Sequence, residues 1–471
     1  MKRVLLFFLL IPSIVSSQEN IIELPKDSIT KENLYDTDLL PAAFFKQNRE
    51  KLRQLLPNNS VAIFFANPIR NRSNDVDFEY HQDPNFYYLT GLTEPHAVIL
   101  IFKEEQRFDG FKTDEIIFLQ GKDLKNEMWT GKRTGVKSAE EKLAITKAMK
   151  NTAFLSFEAE LKDFDKVFTY NIREDVNNHP EKGDLYGLIQ SYQLKAQSLT
   201  NTDKEELNYM MAKLREIKTE EEIALMRKAI DITCEAQIEL MKALKPNMKE
   251  YQSEAIVEYV FKKNGAEYPG FPSILGGGEN SCIIHYTHNR KKLQNKDLLV
   301  SDIGAEYHGY TADVTRTIPV DGTFSEEEKT IYNLVLKAQQ AGIDLCKVGN
   351  KFWEPHNAAT KIITDGLLEL GIIEKSYHVQ KYFMHGTSHY LGLDVHDAGL
   401  YGTLQPGNVI TVEPGIYIPE GSDCDPKWWN IGIRIEDDIL ITTEGPENLS
   451  KKAPRTIEAI EALMKQESNF K

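Results

Sequence analysis

Two aspartates, Asp302 and Asp313, stand in the stretch SDIGAEYHGYTADVTRT, residues 301–317. Residues 298–307 are rich in strand formers, His308-Gly309 predicts a tight turn, and 311–320 predicts the returning strand of a β-hairpin. The midpoint of the two aspartates falls between Tyr307 and His308. A turn centred there makes them cross-strand neighbours on one face, with Cβ atoms about 5 Å apart, and a turn shifted by one residue changes that pairing. Like charges so placed share a proton, gain a cation or sit in water. A solvated hairpin with incidental acids fits the pattern too, so the rest of the chain has to decide.

Four further stretches place polar residues on apolar, strand-like sequence. CIIHYTH carries His285 after two isoleucines, and FMHGTSHYLGLDVHD supplies His385, His389 and His396. In VITVEPGIYI the only charged residue is Glu413. GIRIEDDILIT alternates, so a strand there puts Arg434, Glu436 and Asp438 on one face and Ile433 and Ile435 on the other. A lone acid in an apolar strand is costly to bury, which makes each a candidate for pairing or metal binding. Taken singly, His285 also reads as a satisfied core histidine, Glu413 as a turn residue and Arg434/Glu436 as a structural salt bridge. His385 and His389 do not form an HExxH motif, because Gly386 replaces the glutamate.

The elements that position these residues are legible in outline. After a helix-like segment at 41–55, SVAIFFANP, AVILIF and DEIIFLQ predict a sheet-containing N-terminal domain. The aromatic run DPNFYYLTG and Trp129 in EMWTGKR read as core packing from periodicity. From about residue 203 the sequence turns charged and helical. Thr219 and Glu222 form a capping box before a helix over 223–244, and a second helix spans 250–263. Ser325 and Glu328 repeat the signature, with 357–370 as the partner helix. Each helix pair precedes strand-rich sequence, so this half predicts two similar αα-then-β units with a site between them.

At 471 residues the chain accommodates two or three domains with sizeable cores. Lys2 and Arg3 precede an apolar run over 4–15 and then Ser16 and Ser17. Residues 1–17 therefore predict a secretory signal peptide, too short and too interrupted to span a bilayer. Residues 18 to about 40 read as a polar tail. The formal net charge of −15 disfavours binding to nucleic acid and to anionic membranes. Cys234, Cys282, Cys346 and Cys424 show neither close pairs nor zinc-type spacing, and no disulfide is expected.

Together, DPNFYYLTGLTEPHAV, EMWTGKR, GGGENSCIIHYT, the 301–317 hairpin, MHGTSHYLGLDVHDAG, VEPGIYI and IGIRIEDDILIT closely resemble the aminopeptidase P and prolidase group of dinuclear metallopeptidases. The resemblance implies an α+β architecture, a pita-bread catalytic domain over 210–465 preceded by a smaller α/β N-terminal domain over 38–202. It implies two divalent cations per chain held by Asp302, Asp313, His389, Glu413 and Glu436. Asp313 and Glu436 bridge both ions, Asp302 completes one, and His389 with Glu413 complete the other. Carboxylate-rich ligation suits Mn²⁺, with Zn²⁺ or Co²⁺ also accommodated. A water shared by two cations is acidified toward neutrality and becomes the nucleophile.

By the same resemblance Glu413 accepts the proton from that water. His285 and His396 lie near the oxyanion and the leaving nitrogen, and His385 and Arg434 shape the site. Trp129 matches a tryptophan that reaches a neighbouring subunit's site, which implies a homo-oligomer, dimer or tetramer. Trp129, His285, His396 and Arg434 are thus the expected substrate contacts. The expectation is an exported, periplasmic or secreted Xaa-Pro aminopeptidase acting on peptides with proline second. Prolidase restricted to dipeptides, a metal-free creatinase-like amidinohydrolase and a non-catalytic peptide-binding relative are the alternatives. The long N-terminal domain disfavours a methionine aminopeptidase.

Overall fold

A computed structural model describes residues 36–470, apart from 158–159, 171, 174–175, 179–181 and 198. The expected signal peptide, residues 1–17, lies outside the described residues. Among the described residues no helix is long and apolar enough to cross a membrane.

The apolar runs of the N-terminal half form three adjacent antiparallel strands, Ser60–Phe65, Val98–Phe108 and Phe111–Leu119, within a six-stranded sheet. Their side chains alternate between two cores. Val61, Ile63, Leu100 and Phe118 enter one, while Ala62, Phe64, Ile99 and Ile117 enter a larger one shared with the rest of the chain. Burial on both faces is why these strands read as continuous apolar runs. The aromatic run DPNFYYLTG is a short helix, Pro84–Thr90, capped by Asp83, whose Oδ1 accepts from the Asn85 and Phe86 amides. Phe86 and Tyr88 are buried, as core packing requires.

The two αα-then-β units are present. Helix Glu220–Ala243 pairs with Glu250–Lys263, and Glu326–Asp344 with Glu354–Glu369, the last starting a few residues earlier than its pattern indicates. Both capping boxes form: Thr219 with Glu222, and Ser325 with Glu328. Each is of a kind worth about 1 kcal/mol. The units also match in how a helix grips its strands. Gln237 donates to the Ser301 and Val314 carbonyls at 3.0 and 2.8 Å, and Gln339 donates to the Val412 carbonyl at 3.3 Å.

The hairpin forms with its turn at His308-Gly309, as that dipeptide indicates, and not centred between Tyr307 and His308, the register that would set the two aspartates directly opposite each other. Tyr307 pairs with Tyr310, so the turn centres between His308 and Gly309, whose φ angles of 51° and 86° suit a two-residue primed turn. Asp302 therefore faces Thr315, and Asp313 sits diagonally across from it on the same face. Between Leu298–Ile303 and Ala305–Tyr307 the strand breaks at Gly304, where a Cβ would stand 1.7 Å from the Ala312 carbonyl oxygen. No other residue fits there.

Candidate metal centre

Asp302 and Asp313 enter the site from the hairpin, both buried. Glu413 lies between the strands Val409–Val412 and Gly415–Ile418, and Glu436 between Ile431–Arg434 and Asp437–Thr442. Neither glutamate lies within a regular strand: GIRIEDDILIT is two strands of two different sheets, broken at Glu436. CIIHYTH and FMHGTSHYLGLDVHD are irregular rather than strand-like, apart from a single bridge between Tyr390 and Ile410. Freed from a ladder's two-residue alternation, these loops can aim successive polar residues at one point.

His389 is held by its backbone and its tautomer. Its amide donates to Thr411 Oγ1 at 3.1 Å, and its Nδ1 lies 3.0 Å from the Tyr390 carbonyl, to which only a protonated Nδ1 can bond. Nε2 is thereby left as the free lone pair, 3.5 Å from both Asp313 Oδ2 and Glu413 Oε1. That is the arrangement a metal-ligating imidazole adopts.

Arg434 organises the opposite wall. Its Nη2 donates to Asp302 Oδ2 at 2.6 Å, Nη1 to the Tyr417 hydroxyl at 2.8 Å and Nε to Thr315 Oγ1 at 3.2 Å. Thr315 in turn donates its own hydroxyl hydrogen bond to Glu436 Oε2 at 2.6 Å. His385 Nδ1 donates to the Gly386 carbonyl at 2.7 Å, so Nε2, 2.9 Å from the Tyr417 hydroxyl, accepts a hydrogen bond from it. Burial and the Arg434 charge push the His385 pKa down to about 4, which keeps this imidazole neutral.

The donor set fits a divalent-cation centre. Ligand atoms of Asp313, His389 and Glu436 lie within 4.8 Å of one another. Asp302 Oδ1 and Asp313 Oδ1 are buried with no hydrogen-bond partner among the described residues. Burial, then Asp302, Asp438 and Glu413, holds the Asp313 carboxyl well above the usual range. Glu436 is raised by burial and by Asp313, Glu413 and Asp302. Burial pushes Glu413 up to about 7, although His389 and Arg434 pull the other way. Buried acids that raise one another in this way call for positive charge among them.

Residues 224–443 match metallopeptidase family M24, and residues 45–168 match the aminopeptidase P N-terminal domain. Over 441 residues the chain is 36% identical to an Xaa-Pro aminopeptidase of Escherichia coli (strain K12), spanning 89% of this chain and 97% of that one. An Xaa-Pro aminopeptidase of Haemophilus influenzae is 36% identical over 446 residues, covering 90% and 98%. The chain belongs to the aminopeptidase P family. A solved structure of zinc-substituted E. coli aminopeptidase P in complex with product aligns with a TM-score of 0.81 at 34% identity, covering 90% of this chain and 98% of that one. The pita-bread catalytic domain, the preceding N-terminal domain and a metallopeptidase's dependence on divalent cations follow from that membership.

Of the other expected site residues of this aminopeptidase, His285 and His396 are exposed. The His396 ring meets His389 nearly edge-on, with centroids 4.5 Å apart. Burial, then the neighbouring His389, lowers the His396 pKa. Arg434 Nη2 also reaches the Ile284 carbonyl at 3.4 Å, next to His285. Trp129 takes no part in the hydrogen bonds of the centre. It stands on the short helix Leu124–Thr130 with 84% of its surface exposed, so core packing is not its role.

Three participants were not singled out as site residues from sequence. Thr315 and Tyr417 are neutral, so no charge in an apolar run drew attention to them, although Tyr417 stands in VITVEPGIYI itself. Asp438, whose Oδ2 accepts from the Asp313 amide at 3.2 Å, was visible only as a face-mate of Glu436.

Proposed function

We propose that this protein is an exported Xaa-Pro aminopeptidase that removes the N-terminal residue from peptides whose second residue is proline. The observation that carries the reading is the convergence of Asp302, Asp313, His389, Glu413 and Glu436, with every ligand position of the family pattern filled. These five side chains would hold two divalent cations, Mn²⁺ being favoured by four carboxylates and one imidazole. Bound there, the cations would acidify a water and polarise the scissile carbonyl.

The chain's own groups do the rest. Glu413, half-buried with its Oε1 3.5 Å from His389 Nε2, is placed to take a proton. Asp302 is held in place by Arg434, and Arg434 by Tyr417. His285 and His396, exposed beside the centre, are the groups for the developing oxyanion and for returning a proton to the proline nitrogen. An Xaa-Pro amide has no N–H, so no step here requires that donor.

Trp129, Leu124 and Met128, at 84%, 82% and 87% exposure, form an apolar face that a second copy of the chain would cover, bringing Trp129 to the neighbouring site. Export rests on the composition of residues 1–17, and its mark is a mature protein beginning near Gln18, read by N-terminal sequencing of the exported fraction.

The deciding assay follows hydrolysis of a tripeptide with central proline, before and after thorough chelation, and compares it with an Xaa-Pro dipeptide. Cleavage of the tripeptide only when metal is present supports the proposal. Activity that survives metal removal, or cleavage of the dipeptide alone, overturns it.

A further inference from the structure

His396 is exposed, and among the described residues its ring makes no hydrogen bond; its one ring contact is with His389. Whatever fixes this side chain therefore acts through the backbone on either side of it. On the C-terminal side stands Asp397, buried, its amide bonded to the Tyr390 carbonyl at 2.9 Å so that the loop closes back on the His389 segment. The Asp397 carboxylate is gripped twice: Oδ1 by Arg215 Nη2, and Oδ2 by Lys218 Nζ at 2.7 Å. Gly392 is required at the inner bend, since a Cβ there would stand 2.3 Å from Asp397 Oδ2.

Neither cation belongs to the 224–443 region that matches the peptidase family, nor to the matched N-terminal region 45–168. Both lie in the connection between them, which is stitched to the loop following His396 at three further points. The Lys218 amide donates to Gly407 O at 2.9 Å, Asn408 Nδ2 donates to Glu216 O at 2.8 Å, and the Leu400 amide donates to Glu216 Oε2 at 3.0 Å. The same connection is fastened to the N-terminal domain. Arg215 Nη1 donates to Asn85 Oδ1 at 2.7 Å, and the Tyr88 hydroxyl donates to Leu214 O at 3.1 Å, both from the helix Pro84–Thr90.

The geometry points to Arg215, Lys218 and Asp397 as positioning residues that set His396 over the metal centre, so that the N-terminal domain, through Asn85, takes part in the reaction of the catalytic domain. The inference rests on the aminopeptidase reading for what His396 does, and on this structure alone for what holds it. A buried carboxylate with two cations at hydrogen-bond range is a rigid anchor, and catalytic groups displaced by about 1 Å lose on the order of 10²-fold in rate.

The test is a double-mutant cycle in the metal-loaded enzyme with the central-proline tripeptide. Asp397→Asn should lower kcat about 10²-fold with little change in KM, and should cost nothing more in a His396→Ala background. Where Asp397→Asn does not fold, Asn85→Ala takes its place: it removes the outer acceptor of Arg215 and leaves Asp397 and Lys218 untouched, and should lower kcat several-fold in the wild-type background and not at all with His396→Ala. Equal losses in both backgrounds, or none in either, overturn the inference. A second readout does not need activity. In the zinc-loaded protein, the His396 ring resonance, identified by its loss in His396→Ala, should shift in Asn85→Ala, and an unmoved resonance overturns the inference. Wild-type protein that cleaves no Xaa-Pro peptide refutes the aminopeptidase reading, and the resonance still decides the positioning.

Discussion

Arg434 Nη2 donates to Asp302 Oδ2 across 2.6 Å, and both side chains are buried. The pair joins a strand of the second αα-then-β unit to the hairpin of the first. Removing the cation leaves a buried carboxylate uncompensated, a change that costs about 3–5 kcal/mol in comparable pairs. Arg434→Met should therefore destabilise the metal-free protein by about that much in denaturant titration. Arg434→Lys keeps the charge but not the fork that reaches Asp302, Tyr417 and Thr315 at once, and should also lower turnover. Stability within about 1 kcal/mol of wild type, the range of a surface pair, would show the contact to be incidental.

Tyr417→Phe probes the neighbouring link. It leaves Arg434 Nη1 without its acceptor and His385 Nε2 without its donor, and each buried polar group so stranded costs about 1–3 kcal/mol. The expected result is a lower melting temperature together with reduced kcat, the metal content staying at the wild-type level because no ligand is touched. A variant indistinguishable from wild type in both would mean that water replaces the hydroxyl.

These two residues also show how far the sequence could be read. Arg434 announced itself as a charge in an apolar strand, as did Asp302, Asp313, Glu413 and Glu436, because burial of charge is what sequence patterning exposes. Tyr417 and Thr315 make equally specific bonds and look like ordinary strand residues. Helix limits were legible where caps mark them, as at Thr219 and Ser325. The hairpin register was legible only to within one residue, because turns centred one position apart leave the same alternation, and the Tyr307–Tyr310 pairing with the positive φ angles of His308 and Gly309 decides it. The loops carrying His285, His389 and His396 defeat a period of two altogether.

Asp313→Asn should abolish turnover and lower the metal bound per chain while leaving the far-ultraviolet circular dichroism intact. Asp313 lies within the trio of converging ligand atoms, and its amide bond to Asp438 does not depend on its own side chain. Turnover close to wild type with full metal content would remove it from the ligand set.

The stability of the metal-free protein should fall as pH rises from about 6.5 to 8. Asp313, Glu436 and Glu413 have folded-state pKa values above those of the unfolded chain, Glu413 reaching about 7, so over this window the native state holds protons that the unfolded state has lost. The slope of unfolding free energy with pH is then negative. His81, raised chiefly by its bond to Glu306, adds the same sign. His385 acts oppositely, its folded pKa of about 4 costing stability only below about 6.5, which is why the window starts there. Saturating metal replaces the shared protons and should flatten the carboxylate part of the slope. Melting temperatures with chelator and with Mn²⁺, taken across the window, make the comparison, and equal slopes would contradict the assignment.

The helix Leu124–Thr130 buries none of its residues, yet carries Leu124, Met128 and Trp129, each more than four-fifths exposed. Asp123 caps it, with Oδ1 accepting from the Lys125 and Asn126 amides, so the helix has a built start even though no apolar face packs on its own chain. Covering a large apolar side chain gains about 1.5–3 kcal/mol, and about 1.4 kcal/mol is tenfold in an association constant. Met128→Glu should therefore weaken self-association at least about tenfold, seen as a smaller species by sedimentation at the same concentration. Trp129→Ala should raise KM for longer peptides if that ring completes a neighbouring site, with the stability of the single chain unchanged because the ring packs on none of its core. Unaltered assembly mass in the first variant and unaltered kinetics in the second would assign this face to something other than a second copy of the chain.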